Sequence, residues 1–189
     1  MFETDEKYKE LYETIRQKQS ELREYIKANA YQEVDDYILT NPDGEKKTLS
    51  DLFGNKTELI VIHNMGENCP YCNLWAQGFM GLTKHIEDRT AFVVVSPDAP
   101  VTQKRIIQER GYNFKMASAE GTKFIEDMGF GDKDGRMPGF STFKKEEDGK
   151  IYRIARDFFE PFDPYNSVWH LFALLPEGVN NWSPKFKYD

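Results

Sequence analysis

The chain has 189 residues, with 25 lysines and arginines against 32 aspartates and glutamates, for a net charge of −7. That length is enough for one domain with a full apolar core, so disulfide staples are not required. The acidity argues against nucleic acid or an anionic membrane surface as a main partner, because both need a basic patch that displaces counterions.

The residues after Met1 are acidic and polar, with no basic stretch followed by an apolar block, so neither a secretory signal nor a membrane anchor is expected. From Thr4 to about Ala30 the spacing of Tyr8, Leu11, Tyr12, Ile15, Leu22, Tyr25 and Ile26 predicts an amphipathic helix, interrupted at Lys18 and Gln19. Residues 1–30 are read as this added helix and residues 31–189 as the main domain. The stripe can dock on the domain or pair with a second copy as a homodimer.

Tyr37 to Thr40 and Lys47 to Leu49, joined through Asn41-Pro42-Asp43-Gly44, read as a β-hairpin, because proline presets φ and glycine tolerates a positive one. Glu58 to Asn64 and Ala91 to Ser96 are apolar, strand-sized runs, far too short to span a bilayer. A helix is predicted from Pro70 to about Glu87 and another from Pro100 to Arg110, ended by Gly111. The strand, helix, strand, helix rhythm implies a parallel pair with a right-handed crossover. Ser118 is expected to cap a helix reaching Met128, and Gly129 to Gly135 to be a mobile loop. Phe140 to Lys144 and Ile151 to Ala155 read as a second hairpin, and Asp163-Pro164 as the start of a last helix through Leu175. The sum is an α/β fold with one mixed central sheet and helices on both faces.

Both cysteines of the chain lie in Cys69-Pro70-Tyr71-Cys72, at the start of the helix predicted from Pro70. At that spacing two sulfurs share one face of the first helical turn and can exchange between dithiol and disulfide. The helix N-terminus favours a thiolate on Cys69, which makes it the nucleophile, and Cys72, one turn inward, the resolving thiol. Glu67 opposes that thiolate by its charge. A zinc site is the rival reading, but it needs two further ligands, and His63, His85 and His170 lack the spacing for them. The cysteines can also be read as small buried hydrophobes. His63, six residues before Cys69, can exchange protons with the resolving thiol or simply be a hydrogen-bonded core imidazole.

Asp43-Gly44, Leu49-Ser50-Asp51-Leu52-Phe53, Leu59-Ile60-Val61-Ile62-His63, Cys69-Pro70-Tyr71-Cys72 with Trp75-Ala76 and Gly78-Phe79, Phe92-Val93-Val94-Val95-Ser96, Pro138-Gly139-Phe140-Ser141, His170-Leu171 and Leu174-Leu175-Pro176-Glu177-Gly178 form an ordered series of blocks. In these the chain resembles the thioredoxin superfamily, and within it a bacterial thioredoxin-like family of unknown function often labelled predicted dithiol-disulfide isomerases. The resemblance implies a thioredoxin-like fold with an N-terminal β-hairpin. It also implies a cis Met137-Pro138 bond facing the active site, with the backbone of Met137 holding an extended substrate. His63 falls where thioredoxins carry the buried acid that helps deprotonate the second cysteine. His170 is expected to be a packed or capping residue.

The expected activity is therefore that of a cytoplasmic thiol-disulfide oxidoreductase with Cys69, Cys72 and His63 as catalytic residues and Pro70, Tyr71, Met137 and Pro138 shaping the substrate groove. No cofactor and no metal is expected, and the partners are protein or small-molecule thiols and disulfides. A thioredoxin-like thiol peroxidase is the alternative enzyme, although Ile62 and Gly66 stand where a peroxiredoxin has a proline and a Thr or Ser. A redox-sensing interaction module is the non-catalytic alternative.

Overall fold

A computed structural model describes residues 5–188. In chain order the elements are α1 (Glu6–Ala30), β1 (Gln32–Val34), β2 (Ile38–Thr40), β3 (Lys46–Thr48), α2 (Leu49–Leu52), β4 (Glu58–His63), α3 (Pro70–Met80), α4 (Thr83–Arg89), β5 (Ala91–Ser96), α5 (Pro100–Arg110), β6 (Lys115–Ser118), α6 (Phe124–Asp127), β7 (Gly131–Asp132), β8 (Gly135–Arg136), β9 (Gly139–Lys145), β10 (Ile151–Phe158) and α7 (Ser167–Phe172). Eight strands form one mixed sheet in the order β1-β10-β9-β4-β5-β6-β2-β3. The β4/β5 and β5/β6 pairs are parallel, and β4 runs antiparallel to β9.

The continuous apolar run of β5 is explained by burial on both faces, as a central parallel strand requires. Its alternate residues enter two cores. Val93 and Val95 join Leu59, Val61, Phe124, Phe130 and Phe143 on one face. Phe92 and Val94 join Ile62, Trp75, Ala76, Ile106 and Phe114 on the other. Because α2 and α6 supply the first core, and α3 and α5 the second, the sheet carries helices on both faces, as expected.

Several boundaries differ from the sequence expectation. The helix expected to reach Glu87 breaks at Gly81 into α3 and α4. The side chain of Asn113 donates to the Met80 carbonyl at 2.9 Å and compensates for the helical bond lost there. Ser118 does not cap the helix expected through Met128: its hydroxyl donates to the Asp98 carbonyl at 2.6 Å and accepts from the Glu120 N–H at 3.2 Å in a local turn, and only α6 forms beyond it. The glycine-rich segment expected to be mobile contains the β7/β8 hairpin. The last helix starts at Ser167 with Asn166 as its N-cap, because Asp163 is spent on the preceding turn.

The expected cis bond is also corrected, since every peptide bond among the described residues is trans, that of Met137-Pro138 included. The chain enters β9 already extended, with the Met137 N–H bonded to the Phe130 carbonyl at 3.0 Å and the Pro138 carbonyl accepting from Phe159 N–H at 2.8 Å. No helix among the described residues is long and apolar enough to cross a membrane.

Candidate active site

At the end of β4 the chain leaves the sheet through residues 64–68 and re-enters regular structure at Cys69, the N-cap of α3, with Pro70 in the first turn. Proline is at home there because the N–H it lacks would have no intrahelical partner. The Cys72 backbone N–H donates to Cys69 Sγ at 3.0 Å, so sulfur fills the role that a Ser or Asp oxygen plays in ordinary caps. Cys69 is partly exposed, Cys72 is buried, and both are free cysteines.

Their surroundings separate the two thiols. The pKa of Cys69 is lowered to about 7, mainly by a hydrogen bond from the Cys72 side chain and also by the backbone N–H groups of Cys72 and Tyr71, against an opposing effect of burial. Cys72 is pushed up, first because it donates to Cys69 and then because it is buried, although the Met65 N–H reaches its sulfur at 3.5 Å. One negative charge is thus favoured on the outer sulfur, with the proton held on the inner one.

The loop before Cys69 is held by the neighbouring β5–α5 connection. Asp98 accepts from Glu67 N–H at 3.1 Å with one carboxylate oxygen and from Ser96 Oγ at 2.7 Å with the other. Gly66 has φ +117°, and a Cβ there would lie 3.0 Å from Asp98 Oδ1. The Glu67 carboxylate pairs with Arg105, which offsets the charge that the sequence sets against a Cys69 thiolate. Arg110 binds the Glu67 carbonyl at 2.9 Å and lies 4.8 Å over the Phe186 ring, tying the C-terminal segment to the same loop.

Tyr71 stacks on Trp169 of α7 with ring centroids 6.1 Å apart, and Trp169 packs in turn on Trp182. Trp75 donates its indole N–H to Asp163 at 3.0 Å, fixing α3 against the turn before α7. His170, expected to be a packed or capping residue, is exposed and its Nε2 pairs with the Asp163 carbonyl at 2.9 Å. Sequence reasoning does not single out Asp98, Asp163, Trp169 or Arg110 as site residues. It reads Asp163 and Trp169 only as helix residues, and none of the four lies in a recognisable motif.

His63 is buried at the end of β4, and its Nε2 pairs with Ser141 Oγ at 3.0 Å. Its ring stacks on Phe130, centroids 3.9 Å apart, and on Phe124, and its Nδ1 has no hydrogen-bond partner among the described residues. Burial, with a smaller push from Arg153, lowers its pKa to about 3, so the ring is neutral at physiological pH. Its hydrogen bond goes to Ser141 and to neither cysteine. The His63–Gly139 register puts Pro138 beside Asn64, at the sheet end from which the cysteine loop departs. Met137 is 52% exposed and lines a groove of about 400 Å³ with residues 129–132, 134–136 and Phe158, into which neither cysteine reaches. Among the described residues no group of three or more His, Cys, Asp or Glu side chains is placed to hold a metal ion.

Residues 12–188 match a family described as bacterial protein of unknown function (DUF899). The chain belongs to that family. This DUF899 member matches no functionally curated protein. Among solved structures it is similar to peroxidoxin BcpB from Mycobacterium tuberculosis, at 21% identity and a TM-score of 0.54 over 68% of this chain and 84% of that one. It is similar to a cysteine-to-serine mutant of PrxQ from Xylella fastidiosa at 18% identity and a TM-score of 0.56, over 69% and 85%. An uncharacterized conserved protein from Geobacillus kaustophilus matches at 19% identity and a TM-score of 0.54, over 82% and 85%. These likenesses establish the thioredoxin-like fold of the DUF899 chain; the isomerase label draws no support from them.

Proposed function

We propose that the protein is a thiol-disulfide oxidoreductase acting through the Cys69/Cys72 pair. The carrying observation is the asymmetry of the two sulfurs: a partly exposed Cys69 whose pKa falls to about 7, hydrogen-bonded by a buried Cys72 whose pKa rises. In the reaction the Cys69 thiolate attacks one sulfur of a substrate disulfide. The substrate S–S bond breaks, one substrate thiol leaves, and a mixed disulfide forms on Cys69. Cys72 then loses its proton and attacks Cys69 Sγ, which releases the second substrate thiol and leaves a Cys69–Cys72 disulfide. Two electrons pass to the substrate, and an external thiol donor restores the dithiol.

Pro70 and Tyr71 frame the approach to Cys69, and the exposed Met137, ahead of the buried Pro138, is the residue offered to an extended protein substrate. His63 enters as a neutral group under the end of β4. In the tautomer whose Nε2 donates to Ser141, its unpaired Nδ1 is the atom open to a proton, and its low basicity makes any such transfer transient.

Reduction of a protein disulfide with dithiothreitol as donor tests the scheme. Cys69→Ser is expected to lower the rate at least ~100-fold, and Cys72→Ser to accumulate a covalent mixed disulfide with the substrate. Failure of Cys72→Ser to trap substrate under conditions where wild type turns over would reject the proposed order of attack. The peroxiredoxins among the structural neighbours favour a second reading, in which Cys69 reduces a hydroperoxide to an alcohol, becomes a sulfenic acid, and condenses with Cys72 to a disulfide and water. Ile62 and Gly66 supply no hydroxyl to orient a peroxide, so stoichiometric hydroperoxide is expected to consume the thiols slowly compared with a disulfide substrate.

A further inference from the structure

Helix α1 is 25 residues long, about 37 Å, and among its residues only Ala30 is buried. Leu11, Tyr12, Ile15, Leu22 and Tyr25 are 49–67% exposed, and Tyr8 is 44% exposed. The helix meets its own domain at its last turns: Lys27 lines a groove with Ile60, Thr142 and Ile154, and the Ala30 carbonyl accepts from Arg153 at 3.0 Å. At about 100° per residue, that docked side lies roughly a quarter-turn round the helix from the apolar stripe. Folding of one chain therefore leaves Leu11, Tyr12, Ile15, Leu22 and Tyr25 largely in water.

We propose that this stripe pairs with α1 of a second copy, in antiparallel orientation, so that the protein is a homodimer. Tyr8, Ile15 and Leu22 repeat every seven residues, as do Leu11, Lys18 and Tyr25. These are the two core positions of a heptad seam. An in-register parallel pair sets Lys18 against Lys18 of the other copy in the middle of the seam. Antiparallel pairing instead layers Tyr8 on Tyr25, Leu11 on Leu22 and Ile15 on Lys18, each layer occurring twice about a central twofold axis. The Lys18 stem then packs on Ile15, and its charge stays with Glu21 of its own chain, 2.7 Å away.

The flanking positions agree with this arrangement. They place Thr14 beside Glu21 and Tyr12 beside Gln19 of the other copy, with no like-charge pair, and the antiparallel helix dipoles attract. Covering the six exposed apolar side chains on both copies removes on the order of 1,000 Å² from water, which is the threshold for a specific interface.

Sedimentation of the full chain over a concentration series is expected to show a reversible dimer with a micromolar dissociation constant. The variant Leu11→Glu/Leu22→Glu, altered at two exposed positions, is expected to keep its circular dichroism and to weaken association at least ~100-fold. Orientation is read by cross-linking in a Cys69→Ser/Cys72→Ser background. Leu11→Cys mixed with Leu22→Cys is expected to form a disulfide-linked pair, and Leu11→Cys alone is not. A chain that stays monomeric up to millimolar concentration would overturn the proposal. So would a dimer that survives the double charge substitution, or efficient cross-linking of Leu11→Cys with itself.

Discussion

Cys69 and Cys72 are three residues apart and share one helical turn, yet they differ in burial, and this difference creates the nucleophile. A free cysteine titrates near 8.5, so at neutral pH only a few per cent of it is thiolate. With Cys69 at about 7, roughly half is ionised at that pH. The rate of alkylation by iodoacetamide is therefore expected to rise with pH to a plateau with its midpoint near 7, and to label Cys69 while Cys72 stays protected. In the Cys72→Ala variant the thiol donor, the largest cause of the lowering, is gone, while burial still opposes the thiolate, so the midpoint is expected to move up. A midpoint near 8.5 in wild type would remove the basis for the Cys69 assignment. At this scale the sequence is informative because the motif is local: both cysteines, Pro70 and Tyr71 lie within four positions. Asp98, Asp163 and Trp169 stand 29, 94 and 100 residues from Cys69 in the chain, and only the folded sheet brings them to the loop and to α3.

The element that aims Cys69 is the loop of residues 64–68 between β4 and α3, and its shape rests on Gly66 and Asp98. A non-glycine residue at φ +117° is strained, and a Cβ 3.0 Å from the carboxylate oxygen also crowds the acceptor of the Glu67 N–H. Gly66→Ala is expected to cost about 1–3 kcal/mol of stability by urea denaturation. In an Asp98→Ala background the backbone strain remains but the crowding is relieved. The cost of Gly66→Ala is then expected to shrink, and the difference measures the contact through a double-mutant cycle. Sequence patterning locates the strands and longer helices well, because β4, β5 and α5 carry clear hydrophobic or terminal signals, Gly111 at φ +66° among them. It misplaces the boundaries of α4, α6 and α7, where Asn113, Ser118 and Asp163 make bonds to distant segments that outweigh local propensity. The trans Met137-Pro138 bond belongs with these. The hydrogen bonds of Met137 and Pro138 to Phe130 and Phe159 are tertiary and leave no mark on the Met-Pro dipeptide itself.

For the molecule as a whole, the buried His63 links the sheet core to its pH tolerance. In the folded chain the ring has a pKa of about 3, and in the unfolded chain it returns to about 6.5. Between those values the unfolded state binds one proton more than the folded state, so stability rises with pH across the window and is fully present above about 6.5. Each unit of acidification within the window costs about 1.4 kcal/mol at the limiting slope, a large fraction of the 5–15 kcal/mol typical of a domain. Asp163 acts in the opposite direction, since burial raises its pKa and protonation relieves that penalty. Acid destabilisation is therefore expected to set in just below pH 6.5, before most carboxylates titrate. His63→Asn is expected to be less stable than wild type at pH 7.5, because the stacks on Phe130 and Phe124 are lost. Its stability is also expected to be nearly flat from pH 7.5 to 5, where wild type declines. Denaturation midpoints for both proteins across that range separate the two effects: an offset alone makes His63 a packing residue, whereas loss of the slope identifies it as the group through which acid opens the core.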